Sequence, residues 1–198
     1  MTTNRFELRK ASTKEAIQQA FVTLLDEKTF DEITVRQISE QAGVGFKTYY
    51  RHYKDKKELT HAIVLKFIEA LSRFVEPPLT YDAHVRNLRI VLRFAKENKT
   101  VMRAIGRTPA RDDLIQPMIQ FGFLQGRRMQ SSASETDSSE GKMRRELITH
   151  HFVHSQLSLI FWWVDKDLSV PIDEMEEMII GLIIRPIWNL TDSNSQDK

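Results

Sequence analysis

Along nearly the whole chain the apolar residues recur at three- and four-residue steps and almost never alternate. That period belongs to one face of an α-helix, whereas a half-buried strand repeats every second residue. Seven glycines and six prolines in 198 residues leave few places to break such helices. The expected fold class is therefore all-α. A hydrophobic fraction of 41% is enough to bury a core, and the absence of cysteine excludes disulfide scaffolds and thiolate metal sites. The longest apolar runs, 159–164 and 178–184, fall far short of the roughly 20 residues that cross a bilayer. The charged stretch Met1 to Glu15 lacks the apolar core of a secretion signal. A cytoplasmic chain without membrane contact is expected.

Local signals divide the helices. Ser12 with Glu15 matches a capping box and predicts a first helix that ends near Lys28. Thr34 with Gln37 predicts a second, short helix, and Gly43 is the residue expected just past its end. A third short segment runs from Gly45 to Tyr53. Asp55 and Glu58 start a fourth helix, which Pro77 and Pro78 terminate. Further helices are predicted at Tyr81 to Asn98, Thr100 to Arg107, Asp112 to Gln130, Lys142 to Asp165 and Ile172 to Leu190, with kinks at Pro117 and Pro186. The Ser-rich stretch 131–141 reads as a loop.

Residues 34–53 fit a helix-turn-helix, whose second helix enters a DNA major groove. Between Gly43 and Lys57, five cations (Lys47, Arg51, Lys54, Lys56 and Lys57) face a single carboxylate, Asp55. Interleaved with them, Thr48, Tyr49, Tyr50, His52 and Tyr53 offer donors for phosphate oxygens, although Tyr50 and Tyr53 also suit packing on neighbouring helices. Up to residue 60 the chain carries 11 cations against nine carboxylates, and beyond it 18 against 18, so the whole net charge of +2 sits in this part.

The stretch ITVRQISEQAGVGFKTYYRHYKDKKEL, Ile33 to Leu59, resembles the N-terminal domain of the TetR family of transcriptional regulators. The likeness covers roughly residues 10–70 and rests on Thr34-Val35-Arg36, Ile38, Ala42-Gly43-Val44, Thr48, Tyr50, Arg51-His52-Tyr53 and Lys56. It implies a recognition helix from Gly45 to His52, including Tyr49 and Arg51. It further implies phosphate contacts at Thr34, Thr48, Tyr50, His52 and Lys56, and base contacts at Arg36, Phe46 and Lys47. The family often has a small residue in place of Lys47 and a Leu in place of Tyr49, so the operator sequence does not carry over.

The resemblance also implies a homodimer, with the last two long helices forming a four-helix bundle with their partners. Phe152, Gln156, Leu159, Ile160 and Trp163 on one, and Met175, Met178, Ile179, Leu182 and Ile183 on the other, recur at helical spacing and are the expected interface; the same residues also suit a simple core. A small-molecule effector pocket is implied as well, with Phe94, Met102, Ile105, Met118, Phe121, Phe123, Phe161 and Trp162 as its expected lining or, equally, as core. Glu146, His150 and His154 share a helical face, with His151 beside it. They suit either a divalent metal or polar contacts, and two histidines on one helix complete no tetrahedral site, so no metal or other cofactor is assigned. Arg103, Arg107 and Arg111 are either an anion site or a solvated face.

The expectation is a two-domain dimeric regulator: a helix-turn-helix domain at 1–60, joined by a long helix to an effector-binding and dimerisation domain at 61–198. It binds double-stranded DNA at a palindromic operator as a repressor that a small molecule releases. The alternative keeps the DNA module and gives the C-terminal domain only a dimerising or protein-binding role. An enzyme is not expected, because no nucleophile, second carboxylate or phosphate-binding loop accompanies the histidines.

Overall fold

The computed structural model describes residues 3–75, 80–109, 111–112, 115–116 and 139–192, and these contain helices and no strands. In chain order the helices are α1 (Thr3–Glu27), α2 (Val35–Gln41), α3 (Phe46–His52), α4 (Lys56–Ser72), α5 (Tyr81–Glu97), α6 (Lys99–Gly106), α7 (Ser139–Asp165), α8 (Ile172–Ile179), a π-helical turn (Ile180–Ile184) and α9 (Arg185–Asp192). The chain divides into two compact units, one of Met1–Ile68 with Thr100–Asp113, the other of Glu69–Lys99 with Leu114–Lys198. No helix among the described residues is long and apolar enough to cross a membrane.

Helix α1 starts nine residues before the expected cap at Ser12. Residues 3–11 carry no apolar stripe, so periodicity does not register them. They also contain no Gly or Pro, and nothing stops the helix from propagating through them. The later turns bury Ile17, Ala20, Phe21, Leu24 and Leu25, and Phe21 meets Phe30 edge to face at 6.2 Å. The capping box of α2 forms as the sequence suggests: Gln37 N–H donates to Thr34 Oγ1 at 3.2 Å, and Thr34 N–H donates to Gln37 Oε1 at 2.9 Å. Gly43 closes α2 with φ of +66°. A Cβ there would meet nothing within 4 Å, so it is the backbone conformation and not crowding that selects glycine. Asp55 caps α4 by accepting from Glu58 N–H at 2.8 Å.

In the second unit, α5 begins at the Thr80 cap. Leu88 and Leu92 of α5, Ile160, Trp163 and Val164 of α7, and Met175, Ile179, Ile183 and Ile184 beyond it are all buried. The Trp163 indole donates to Val170 O at 2.7 Å and ties down the turn between α7 and α8. Helix α7 starts at Ser139, so the last residues of the expected loop are helical, while 131–138 lie outside the described residues. The expected helix Asp112 to Gln130, with its kink at Pro117, lies mostly outside them too. Where a kink was expected at Pro186, the helix widens. Proline has no N–H and its ring crowds the carbonyls one turn back, and Arg185 N–H reaches Ile180 O, five residues away.

Arg89 grips Glu176 with both ends of its guanidinium, Nε at 2.9 Å and Nη2 at 2.5 Å. Glu176 is buried while Arg89 is half exposed, so removing the arginine would strand a carboxylate in the core. Arg89→Ala is expected to lower unfolding stability by about 1–3 kcal/mol in urea titration, against less than about 0.5 kcal/mol for Glu69→Ala in the exposed Arg73–Glu69 pair. Equal effects would contradict this assignment.

Candidate nucleic-acid interface

Helices α2 and α3 meet at the corner that Gly43 makes possible, where Gly43 N–H donates to Glu40 O at 3.1 Å and Val44 N–H to Ser39 O at 3.0 Å. Gly45 then caps α3 in an extended conformation without a side-chain bond. Two faces of α3 result. Phe46 and Tyr50 stand outward, 53% and 48% exposed, with their rings edge to face at 4.9 Å. Lys47 and Arg51 are exposed beside them, and Thr48 is half buried.

Tyr49, whose ring meets that of Tyr50 edge to face at 5.5 Å, is 0% exposed. Its ring lies 6.0 Å from that of Tyr53, and its hydroxyl is buried without a hydrogen-bond partner among the described residues. Burial pushes the Tyr49 phenol well above the usual tyrosine range. Tyr49 is therefore core, not DNA face, which corrects the sequence expectation. The reason is helical spacing: Tyr49 and Tyr53 stand one turn apart and share the inner side. Tyr53 is buried as well, and its hydroxyl accepts from Gln18 Nε2 at 3.1 Å.

Lys56 is the second departure. Its ammonium donates to Phe30 O and Ile33 O, both at 2.6 Å, and lies 4.5 Å from the centre of the Phe30 ring. Burial lowers its proton affinity, and Asp31 partly offsets this. Two of its three donors are thus committed to the connection between α1 and α2, and the expected phosphate role is at most shared with a structural one.

Thr34 uses its hydroxyl in the capping box. Arg36 pairs with Glu40 at 2.8 Å, both exposed and screened by solvent, so the guanidinium can leave that partner at little cost. His52 is half buried with Nδ1 enclosed and unpartnered among the described residues. Burial, then the charges of Lys14 and Lys10, lower its proton affinity. The Gly45 to His52 segment with Arg36 is thus an outward strip of two aromatic rings among cations and a hydroxyl, suited to phosphates and base edges.

The residues expected to line a pocket divide between the two units. Phe161 is buried and Trp162 is exposed; these and half-buried Phe94 belong to the second unit, while Met102 and Ile105, both buried, belong to the first. Met118, Phe121 and Phe123 lie outside the described residues. Of the expected dimer face, Ile160, Trp163, Met175, Ile179 and Ile183 are buried within the chain itself, so they are core. Phe152, Gln156 and Leu159 are half buried, and Met178 and Leu182 are exposed. The His150 and His154 rings stack at 5.7 Å, with Glu146 exposed on the same helix. Among the described residues no three metal-ligating side chains converge.

A capped helix, a glycine-formed corner and a second helix with an aromatic and cationic outer face define a helix-turn-helix DNA-binding module. Residues 17–63 match the family described as bacterial regulatory proteins, tetR family. In this segment the chain carries the N-terminal helix-turn-helix domain described for that family of transcriptional regulators. It is 24% identical over 97 residues to an HTH-type transcriptional regulator of Staphylococcus aureus strain USA300, a match covering 46% of this chain and 52% of that one. The chain thus spans about half the length of the curated relatives it matches. Its fold resembles a tetR-family transcriptional regulator from Streptomyces coelicolor (TM-score 0.60, 16% identity, 89% of this chain and 88% of that one). It also resembles a TetR-like transcriptional regulator from Rhodococcus sp. RHA1 (TM-score 0.61, 19% identity, 88% and 95%). Family and fold neighbours are regulators, not enzymes.

Lys56→Met keeps the stem and removes the ammonium. It is expected to lower urea stability by about 1–2 kcal/mol through loss of two charge-assisted bonds, while Tyr49→Phe, which deletes an unpaired hydroxyl, leaves stability unchanged or higher. A Lys56→Met variant as stable as wild type would refute the structural role.

Proposed function

We propose that the chain is a homodimeric repressor that places two copies of α3 in successive major grooves of a palindromic operator and leaves it when a small molecule binds. The observation that carries the DNA part is the outward strip of α3: Phe46, Lys47 and Tyr50 reach beyond the backbone, with Arg51 beside them. Lys47 and Arg36 suit guanine acceptors, and Phe46 suits a thymine methyl. Thr48, Tyr50 and His52 then position the helix on phosphates.

One such helix makes a small contact, and specific binding generally pairs two on half-sites about 34 Å apart. Support for pairing comes from the exposed apolar residues Trp162 on α7, Met178 on α8 and Leu182 on the π turn, the last 62% exposed. Gly181 beside them leaves open space, so another backbone can come close. The functional division proposed is a DNA-binding part at 1–60 and an effector-binding and dimerising part at 61–198. Helix α4 passes from one compact unit to the other at Ile68 and Glu69, and the chain returns at Lys99 and Thr100. It passes to the second unit again at Asp113 and Leu114, so a ligand that prefers one arrangement of the second unit can act on the first through three covalent crossings.

Gel-shift titration of a duplex spanning the chain's own promoter tests this. Lys47→Ala and Tyr50→Ala are each expected to weaken binding at least tenfold at fixed salt, and Leu182→Glu to give a folded monomer in sedimentation that binds the duplex at least tenfold more weakly. If wild type shifts the duplex and all three variants shift it equally, the reading fails.

A further inference from the structure

Because α1 begins at Thr3, Lys10, Lys14 and Gln18 lie on one helix at steps of four residues. They therefore form a single row along one face. Which way that row points is fixed at its inner end. Gln18 Nε2 donates to the hydroxyl of Tyr53 at 3.1 Å, and Tyr53 is the residue that ends α3. One turn further out, Lys14 Nζ lies 6.0 Å from the centre of the same Tyr53 ring. Lys10 follows one more turn along, about 6 Å of helix axis beyond Lys14. Both lysines are exposed, and both bear electrostatically on His52, in the last turn of α3. The row thus runs outward from the C-terminal end of the recognition helix.

Three other cations of this unit have protein partners. Arg36 pairs with Glu40 and Lys66 with Glu15, and Lys56 is held by two backbone carbonyls. Lys10 and Lys14 make no ion pair among the described residues. Two like charges one helical turn apart repel, and here they also disfavour a third cation, the protonated form of His52. An anion that reaches all three groups at once removes that penalty. On the side of a helix that enters a major groove, the anion at hand is the phosphate backbone flanking the groove.

We propose that the Lys10–Lys14 face of α1 is a second phosphate-contacting edge of the DNA interface, adjoining the C-terminal end of α3. This rests on the DNA-binding reading above and extends it to a helix outside the helix-turn-helix. Lysines serve here as point charges without base readout, so the edge adds affinity and salt dependence and leaves sequence preference alone.

The test is a salt series of fluorescence-anisotropy titrations with full-length protein, using the promoter duplex and a scrambled duplex of equal length. Each lysine that neutralises one phosphate steepens the fall of log K with log salt by about 0.9. The Lys10→Gln/Lys14→Gln variant is expected to show a slope shallower by about 1.8 per bound protomer, weakened equally on both duplexes, with Lys10→Arg/Lys14→Arg restoring the wild-type slope. Far-UV circular dichroism and urea melts verify that both variants fold. An unchanged slope, or a loss confined to the promoter duplex, overturns the inference while leaving the recognition-helix reading intact. If wild type binds neither duplex, the DNA reading itself falls and this inference with it.

Discussion

The ammonium of Lys56 sits between the carbonyls of Phe30 and Ile33 and over the Phe30 ring, and the N-terminal unit is arranged around that contact. Phe30 in turn packs on Phe21 of α1, and Ile33 is buried immediately before the cap of α2. One cation thereby holds the start of α4 against the connection from α1 to α2. Helix α3 has only seven residues and lies between those fixed points. A helix that short is not stable alone, so its outer strip is presented by a frame that α1, α2 and α4 hold together. The inner side of α3 adds the buried rings of Tyr49 and Tyr53 to that frame.

What the sequence revealed and what it hid follow from the range of the interactions. The Thr34–Gln37 box and the Gly43 corner are local, each set by residues within a few positions, and both read directly from the chain. The beginning of α1 did not, because apolar period is the signal for a helix, residues 3–11 carry no apolar stripe, and 7–11 are exposed. The Lys56 staple spans 26 and 23 residues; a lysine in a first helical turn near basic neighbours looks the same whether it meets a phosphate or a carbonyl. Tyr49 was legible in principle, since its four-residue step to Tyr53 marks the inner face.

In the second unit, apolar residues on α7 and α8 exceed what one stripe needs, and period alone cannot tell the core face from a partner face. Burial separates them: Ile160, Trp163, Met175, Ile179 and Ile183 fill the interior, leaving Trp162, Met178 and Leu182 outside. The glycine and the proline that interrupt this last helix have distinct effects. Gly181 leaves a gap on the outer surface, and Pro186 is accommodated by the π turn before it. The charge balance divides in the same way, with the excess cations all before residue 60.

A frame fixed from within is proposed to present the outer strip of α3 to DNA. Amide hydrogen exchange of the full-length protein with and without its promoter duplex measures this directly. Slower exchange on DNA binding is expected in peptides covering residues 34–37 and 45–52, with the buried α5 and α7 peptides unchanged. Protection confined to the second unit, with residues 45–52 exchanging as fast as in the free protein, would contradict it.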